Sequence, residues 1–176
     1  MKTKKVTTKY VCQLGILAAI TVVLALCGTF RIGNWVKVSI KFVSVFMTGA
    51  LLGPVEAGLV AAAADMANAF LTPVGGWLPQ ITAVELLYGV IFGLFFYKAK
   101  DNKKYYLRAF LCSVVQLVIS LTIMTAILVQ AGYLPGFSKG FVLRIPAAAV
   151  TFVLHVVVTS LLRRFVFRLK EGKKVE

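Results

Sequence analysis

Acidic residues are scarce in this 176-residue chain: six Asp and Glu face 20 Lys and Arg, and charged residues of both signs reach only 15%. A soluble domain carries nearer a quarter, so a water-soluble globule is excluded. There is one histidine, His155, and the three cysteines, Cys12, Cys27 and Cys112, lie apart in apolar runs. Without a CxxC or Cys/His spacing they imply no metal site, and each reads as a small buried hydrophobe. No GxxxxGK[ST] is present, so the chain has no ATPase motif of its own. HExxH, GxSxG and other nucleophile constellations are missing too, which argues against an enzyme. No internal repeat is visible, and secondary transporters are commonly built on inverted repeats. Nothing calls for a cofactor.

What fills the chain instead is apolar: 60% of residues are hydrophobic and mean hydropathy is +0.89. It reads as an all-α integral membrane protein of one domain, 1–176. Six spans are expected, at about 11–30, 37–52, 55–71, 80–97, 105–130 and 141–162. The MKTKK start resembles a signal peptide, but the run after it can cross a bilayer and more spans follow; it reads as a retained anchor.

The net charge of +14 would suit nucleic acid by its size. Its placement does not. Lys2, Lys4, Lys5 and Lys9 precede the first span, Lys98, Lys100, Lys103, Lys104 and Arg108 surround the middle loop, and Arg163, Arg164, Arg168, Lys170, Lys173 and Lys174 end the chain. Six spans put all three groups on one side, so both termini are expected on the cytoplasmic side of the membrane. Arg31, Lys37, Lys41, Lys139 and Arg144 then fall on the outer side, where topology does not need them. Snorkelling to lipid headgroups accounts for Lys37 and Lys139. Arg31, Lys41 and Arg144 come from three separate outer segments and are candidates for binding an anion.

Several spans carry polar stripes at helical spacing: Lys37, Lys41, Ser44 and Thr48; Asp65, Asn68 and Thr72; Ile81, Glu85, Tyr88 and Phe92; Arg144, Thr151, His155 and Thr159. Interhelical hydrogen bonding covers Ser44, Thr48, Thr151 and Thr159, and His155 reads as a buried, hydrogen-bonded imidazole. Glu56 begins a helix after Gly53-Pro54, where the helix dipole favours an anion. Asp65 and Glu85 lie deeper, where an ionisable group is a functional candidate. Two readings stay open: ion pairs with Lys41 or Arg144, or direct contact with a ligand. After Asp65 the chain breaks through Thr72-Pro73 and Gly75-Gly76 to Trp77 and Pro79. This has the form of a shaped loop whose aromatic ring could stack on a flat heterocycle, although Trp77 would also suit an interfacial belt.

The first span has no charge but a series of small residues, Gly15, Ala18, Ala19 and, further on, Ala25. The small-xxx-small spacing permits close approach of a partner helix. Gly49-xxx-Gly53 repeats it, and there internal packing is the safer reading.

Arg31-Ile32-Gly33, GALLGP (49–54), AGLVAAAADMANAF (57–70), TPVGGWLP (72–79), and Tyr88-Gly89 with Gly93 together resemble the S components of energy-coupling factor (ECF) vitamin transporters, of the folate type. The likeness covers roughly the first half of the chain. It implies a six-helix bundle that binds a vitamin near its outer face, a transmembrane (T) subunit docked on span one, and a pair of cytoplasmic ATPases. Folate would suit the residues: Arg31, Lys41 and Arg144 for its two carboxylates, Asp65 or Glu85 with Asn68 for its pterin edge, and Trp77 or Tyr88 for its ring. Another vitamin, such as pantothenate or a queuosine-type precursor, is the near rival. An intramembrane enzyme using Asp65, or a structural subunit with salt-bridged charges, is more distant.

Overall fold

The computed structural model describes residues 8–32, 36–72, 77–99, 104–134 and 136–175, with the side chains of Lys9, 30–32, 36–38 and 171–175 outside that description. Helix α1 (Thr8–Cys27) has 20 residues, about 30 Å of rise and so the thickness of a hydrocarbon core. The chain then forms an antiparallel hairpin, β1 (Thr29–Ile32) with β2 (Val36–Ser39), in the register Thr29–Ser39 and Arg31–Lys37. The expected helical span over 37–52 therefore fails at its start. Val36, Val38 and Ile40 alternate with Lys37, Ser39 and Lys41, a period of two in β-branched residues that favours a strand. Helix α2 (Phe42–Leu51) is left with 10 residues, about 15 Å and half a bilayer core.

Gly53 stands at φ 139°, a conformation open to glycine. Pro54 follows at the first helical position, so the chain reverses and α3 (Pro54–Leu71) begins at once. Helix α4 (Pro79–Phe96) likewise starts on proline. Helix α5 (Lys104–Ile119) runs through a π-helical turn (Ser120–Met124) into α6 (Thr125–Gln130), so the stretch 104–130 is one interrupted helix. Helix α7 (Phe137–Leu161) carries Pro146 inside it. The basic segment that follows the last expected span forms helix α8 (Arg163–Val175). Among the described residues, four helical stretches are long and apolar enough to cross a membrane: Tyr10–Cys27, Pro79–Phe96, Lys104–Gln130 and Phe137–Leu161.

Glycines bring α2, α3 and α4 together backbone to backbone. A methyl group on Gly93 would lie 2.1 Å from the Cα of Pro54, and one on Gly89 would lie 2.3 Å from the carbonyl oxygen of Ala57. Gly49 abuts the backbone of Gly93, so its small size serves internal packing. The most extensive helix contact is α3 with α4, with α1 and α2 packed on that pair. Helices α5 and α7 form a second pair, joined to the first group mainly through α4 and β2.

A filled apolar core occupies one end of the bundle. Phe46, Phe96, Tyr105, Cys112 and Val166 are almost fully buried there. Phe46 meets Phe96 edge-on, with ring centroids 4.9 Å apart. Tyr105 donates its hydroxyl to the carbonyl of Thr159 at 3.0 Å. Lys170 on α8 donates to the carbonyls of Phe96 and Tyr97 at 2.9 and 3.0 Å, capping the end of α4; burial lowers its pKa. Cys12 and Cys27 are exposed on the outside of the bundle, so only Cys112 is the buried hydrophobe expected.

Candidate ligand-binding site

At the other end the helices part around a cavity of about 260 Å³. Its polar lining includes Ser39 from β2, Lys41 from the start of α2, Glu85 and Tyr88 from α4, Gln116 and Ser120 from the interrupted helix 104–130, and Arg144 with His155 from α7. Its apolar walls include Phe42, Phe92 and Phe152. The α4 stripe Ile81, Glu85, Tyr88, Phe92 faces the cavity with all four members, because residues three and four apart share a helix face. His155 rests its ring on Phe42, centroids 4.3 Å apart, and near Phe92 at 5.6 Å.

Charge in the site is arranged in two parts. Lys41 is 7% exposed. Its ammonium lies 2.9 Å from Oε1 of Glu85 and 4.0 Å from Oδ1 of Asp65. Asp65 is further held by Thr82, whose hydroxyl donates to Oδ2 at 2.8 Å, and Thr82 in turn accepts the indole N–H of Trp77 at 3.0 Å. A polar chain thus runs from Trp77 through Thr82 and Asp65 to Lys41 and Glu85. Across the cavity Arg144 has only hydroxyl partners among the described residues. One Nη lies 3.1 Å from Oγ1 of Thr125, and the other 3.5 Å from Oγ of Ser120. Gln116 is 4% exposed, and among the described residues neither end of its amide has a hydrogen-bond partner. It therefore offers a donor and an acceptor to whatever fills the space.

With that geometry in view, three comparisons bear on the chain. The family model described as ECF-type riboflavin transporter, S component, matches residues 5–166. The chain belongs to that family. This S component is 30% identical over 140 residues to the folate transporter FolT of Clostridium novyi (strain NT), a match covering 80% of each chain. It is 26% identical over 135 residues to the folate transporter FolT of Streptococcus mutans serotype c (strain ATCC 700610 / UA159), covering 75% of this chain and 73% of the relative. It superposes on the crystal structure of FolT bound with folic acid with a TM-score of 0.78 at 26% identity, covering 90% of this chain and 94% of the other.

Of the eight residues singled out for ligand contact, the S component places Lys41, Glu85, Tyr88 and Arg144 in one cavity. Asp65 and Asn68 are buried but do not line it. Asp65 lies behind Lys41 and Thr82, so it braces the cation, and Asn68 accepts from the Thr72 hydroxyl near the end of α3. Trp77 is 43% exposed and tilts against Phe70; its ring is outside the cavity lining. Arg31 lies on β1 opposite Lys37, and its side chain, like the Pro73–Gly76 part of the loop, lies outside the described residues. Lys37 stands on a strand and so leaves the α2 stripe. Ser44 and Thr48 turn away from the site: the Thr21 hydroxyl donates to Ser44 at 2.8 Å, and Thr48 donates to the carbonyl of Ser44, also at 2.8 Å.

Ser113, Gln116 and Ser120 are site residues that the sequence reading did not select. Their spacing of three and four residues inside an apolar span is the signal that could have found them. On α1, Gly15 and Ala19 are exposed, with nothing within 4 Å of a methyl group placed on Gly15. Ala18 is half-buried and Ala25 only 1% exposed, so Ala25 packs inside the bundle and is not available to a partner.

Proposed function

We propose that this chain is the substrate-binding subunit of an ECF-type importer and that its ligand is folate. The observation that carries the reading is the cavity in which Arg144, a cation without a carboxylate partner among the described residues, faces the unpaired amide of Gln116 between aromatic walls. Folate has matching parts: a flat ring edged with donors and acceptors, and a tail with two carboxylates. Arg144 meets a tail carboxylate, and Arg31 is assigned the second. Gln116 and Glu85 read the pterin edge, with Tyr88 and Phe92 against the ring. Lys41 is already neutralised by Glu85 and Asp65, so its part is to hold Glu85 in place. The two curated relatives named as folate transporters, and the likeness to FolT bound with folic acid, support the choice over riboflavin, named in the family description.

The whole chain then serves as one multi-pass domain of a bacterial plasma membrane, with six crossings and both ends in the cytoplasm, as the distribution of Lys and Arg favours. The two crossings beyond the four long apolar stretches are α3 and the segment 36–52, in which β2 leads into the short helix α2. The open Gly15–Ala19 face of α1 docks the transmembrane subunit, and two cytoplasmic ATPases supply the energy; this chain performs no catalysis.

Titration of the purified protein with folate tests the reading. Arg144→Met removes charge-assisted hydrogen bonds of about 1.5–3 kcal/mol, so folate should bind roughly ten- to a hundred-fold more weakly. Saturation by riboflavin with no competition from folate would overturn it.

A further inference from the structure

A second hollow, of about 620 Å³, runs along the outside of the bundle between α1, α2 and α8. It plays no part in the ligand site. Gln13, Leu17, Ile20 and Leu24 line it from α1, Met47 lies on the α2 side, and among the described residues Arg168 is its one cationic lining residue. From Gln13 to Leu24 helix α1 rises about 17 Å, close to half of a 30 Å hydrocarbon core. The groove is thus as tall as one leaflet. Its floor is polar but closed, since Ser44 donates to the carbonyl of Leu17 at 3.1 Å and accepts from Thr21.

Helix α8 fixes where the charge sits. Val166 is buried against the core, Lys170 ties α8 to the end of α4, and Phe165 and Leu169 stay 54% and 39% exposed beside the groove. A helix that shows apolar residues on one side and Arg164 and Arg168 on another lies in a membrane interface. Arg168 is exposed and has no carboxylate partner among the described residues. By the charge distribution this is the cytoplasmic leaflet, whose anionic lipids attract such cations. A docked partner helix would want small residues, and these lie elsewhere. At 100° per residue Gly15 and Ala19 are roughly 120–160° around α1 from the groove stripe.

We propose that the groove holds an acyl chain of an anionic phospholipid of the inner leaflet, with the lipid phosphate on Arg168. The site uses the membrane orientation proposed above and is independent of which vitamin the chain carries. Native mass spectrometry of the full-length, delipidated protein, titrated with phosphatidylglycerol or with phosphatidylcholine of the same chains, tests it. One phosphatidylglycerol should be retained in preference to phosphatidylcholine. Arg168→Gln should cut that preference about five-fold, while Arg164→Gln, outside the groove lining, should leave it. Ile20→Trp and Leu24→Phe fill the groove and should each displace the lipid with Arg168 intact; melting and helical circular dichroism report that the variants are folded. Equal retention of the two lipids overturns the proposal, as does an equal loss in Arg164→Gln or no displacement by either filling variant. A crosslink from Ile20 to a co-expressed transmembrane subunit would instead assign the groove to protein. Folate titration of the same samples reads separately on the ligand assignment.

Discussion

Lys41 is a buried cation shared by two carboxylates, which makes its removal the sharpest test of how the site is held together. Attraction between unit charges falls as 1/r. The 2.9 Å contact with Glu85 is therefore about 1.4 times as strong as the 4.0 Å contact with Asp65 in one medium. Lys41→Met leaves both acids in place without their cation. Taking one partner from a buried ion pair costs about 3–5 kcal/mol, because the remaining charge stays desolvated. For a chain of this length 1 kcal/mol corresponds to about 2–4 °C in Tm, so the variant should melt roughly 6–20 °C lower in detergent. Glu85→Gln should cost less, since Lys41 keeps Asp65. The double variant Lys41→Met/Glu85→Gln should recover part of the loss, the non-additivity expected of contacting groups. If Lys41→Met melts within about 3 °C of the parent, below the shift for even the smallest cost above, the cluster is not what holds α2, α3 and α4 in register at the site.

Three further outcomes are expected. Gly93→Ala forces a methyl group to 2.1 Å from Pro54, so it should cost at least the upper end of the about 1–3 kcal/mol typical of overpacking; an unchanged melting curve would refute a rigid seam there. Thr82→Val removes the acceptor for Trp77 and the donor to Asp65; in a Trp35→Phe background the Trp77 emission should shift to the red and stability should fall by about 1–3 kcal/mol, whereas an unaltered spectrum would separate the loop from the acid cluster. Gly15→Leu projects into open space, so melting and ligand affinity should hold while co-purification of the transmembrane subunit is lost; an intact complex would move that interface off α1.

Helices α3 to α7 could be read from hydropathy, and α3 and α4 also from Pro54 and Pro79, since proline at a first helical position announces its own boundary. The hairpin was missed, although β2 carries a period of two. Each strand has only four residues, and the outer apolar run beside it has the composition of a membrane span. The π-helical turn left no mark, because it inserts a register shift without changing residue type. Within the site, periodicity identified the face of α4 that carries Glu85 and Tyr88, but not what each neighbouring face would meet. Asp65 and Glu85 had equal standing in the sequence; Thr82 and Lys41 decide that Asp65 braces and Glu85 faces the cavity. Gln116 was not selected; an isolated amide in an apolar helix commonly pairs with a neighbouring helix, whereas here it has no such partner among the described residues.

The two groups of helices, α1 to α4 on one side and α5 with α7 on the other, touch each other less than they touch within themselves. The cavity lies along that seam and takes its lining from both. In mechanical terms an empty site would be a joint and an occupied one a strut, if one ligand grips Glu85 and Tyr88 on one side and Gln116 and Arg144 on the other, as proposed above. The cargo is then a structural member of the bundle, and the stiffness of the subunit reports whether it is loaded.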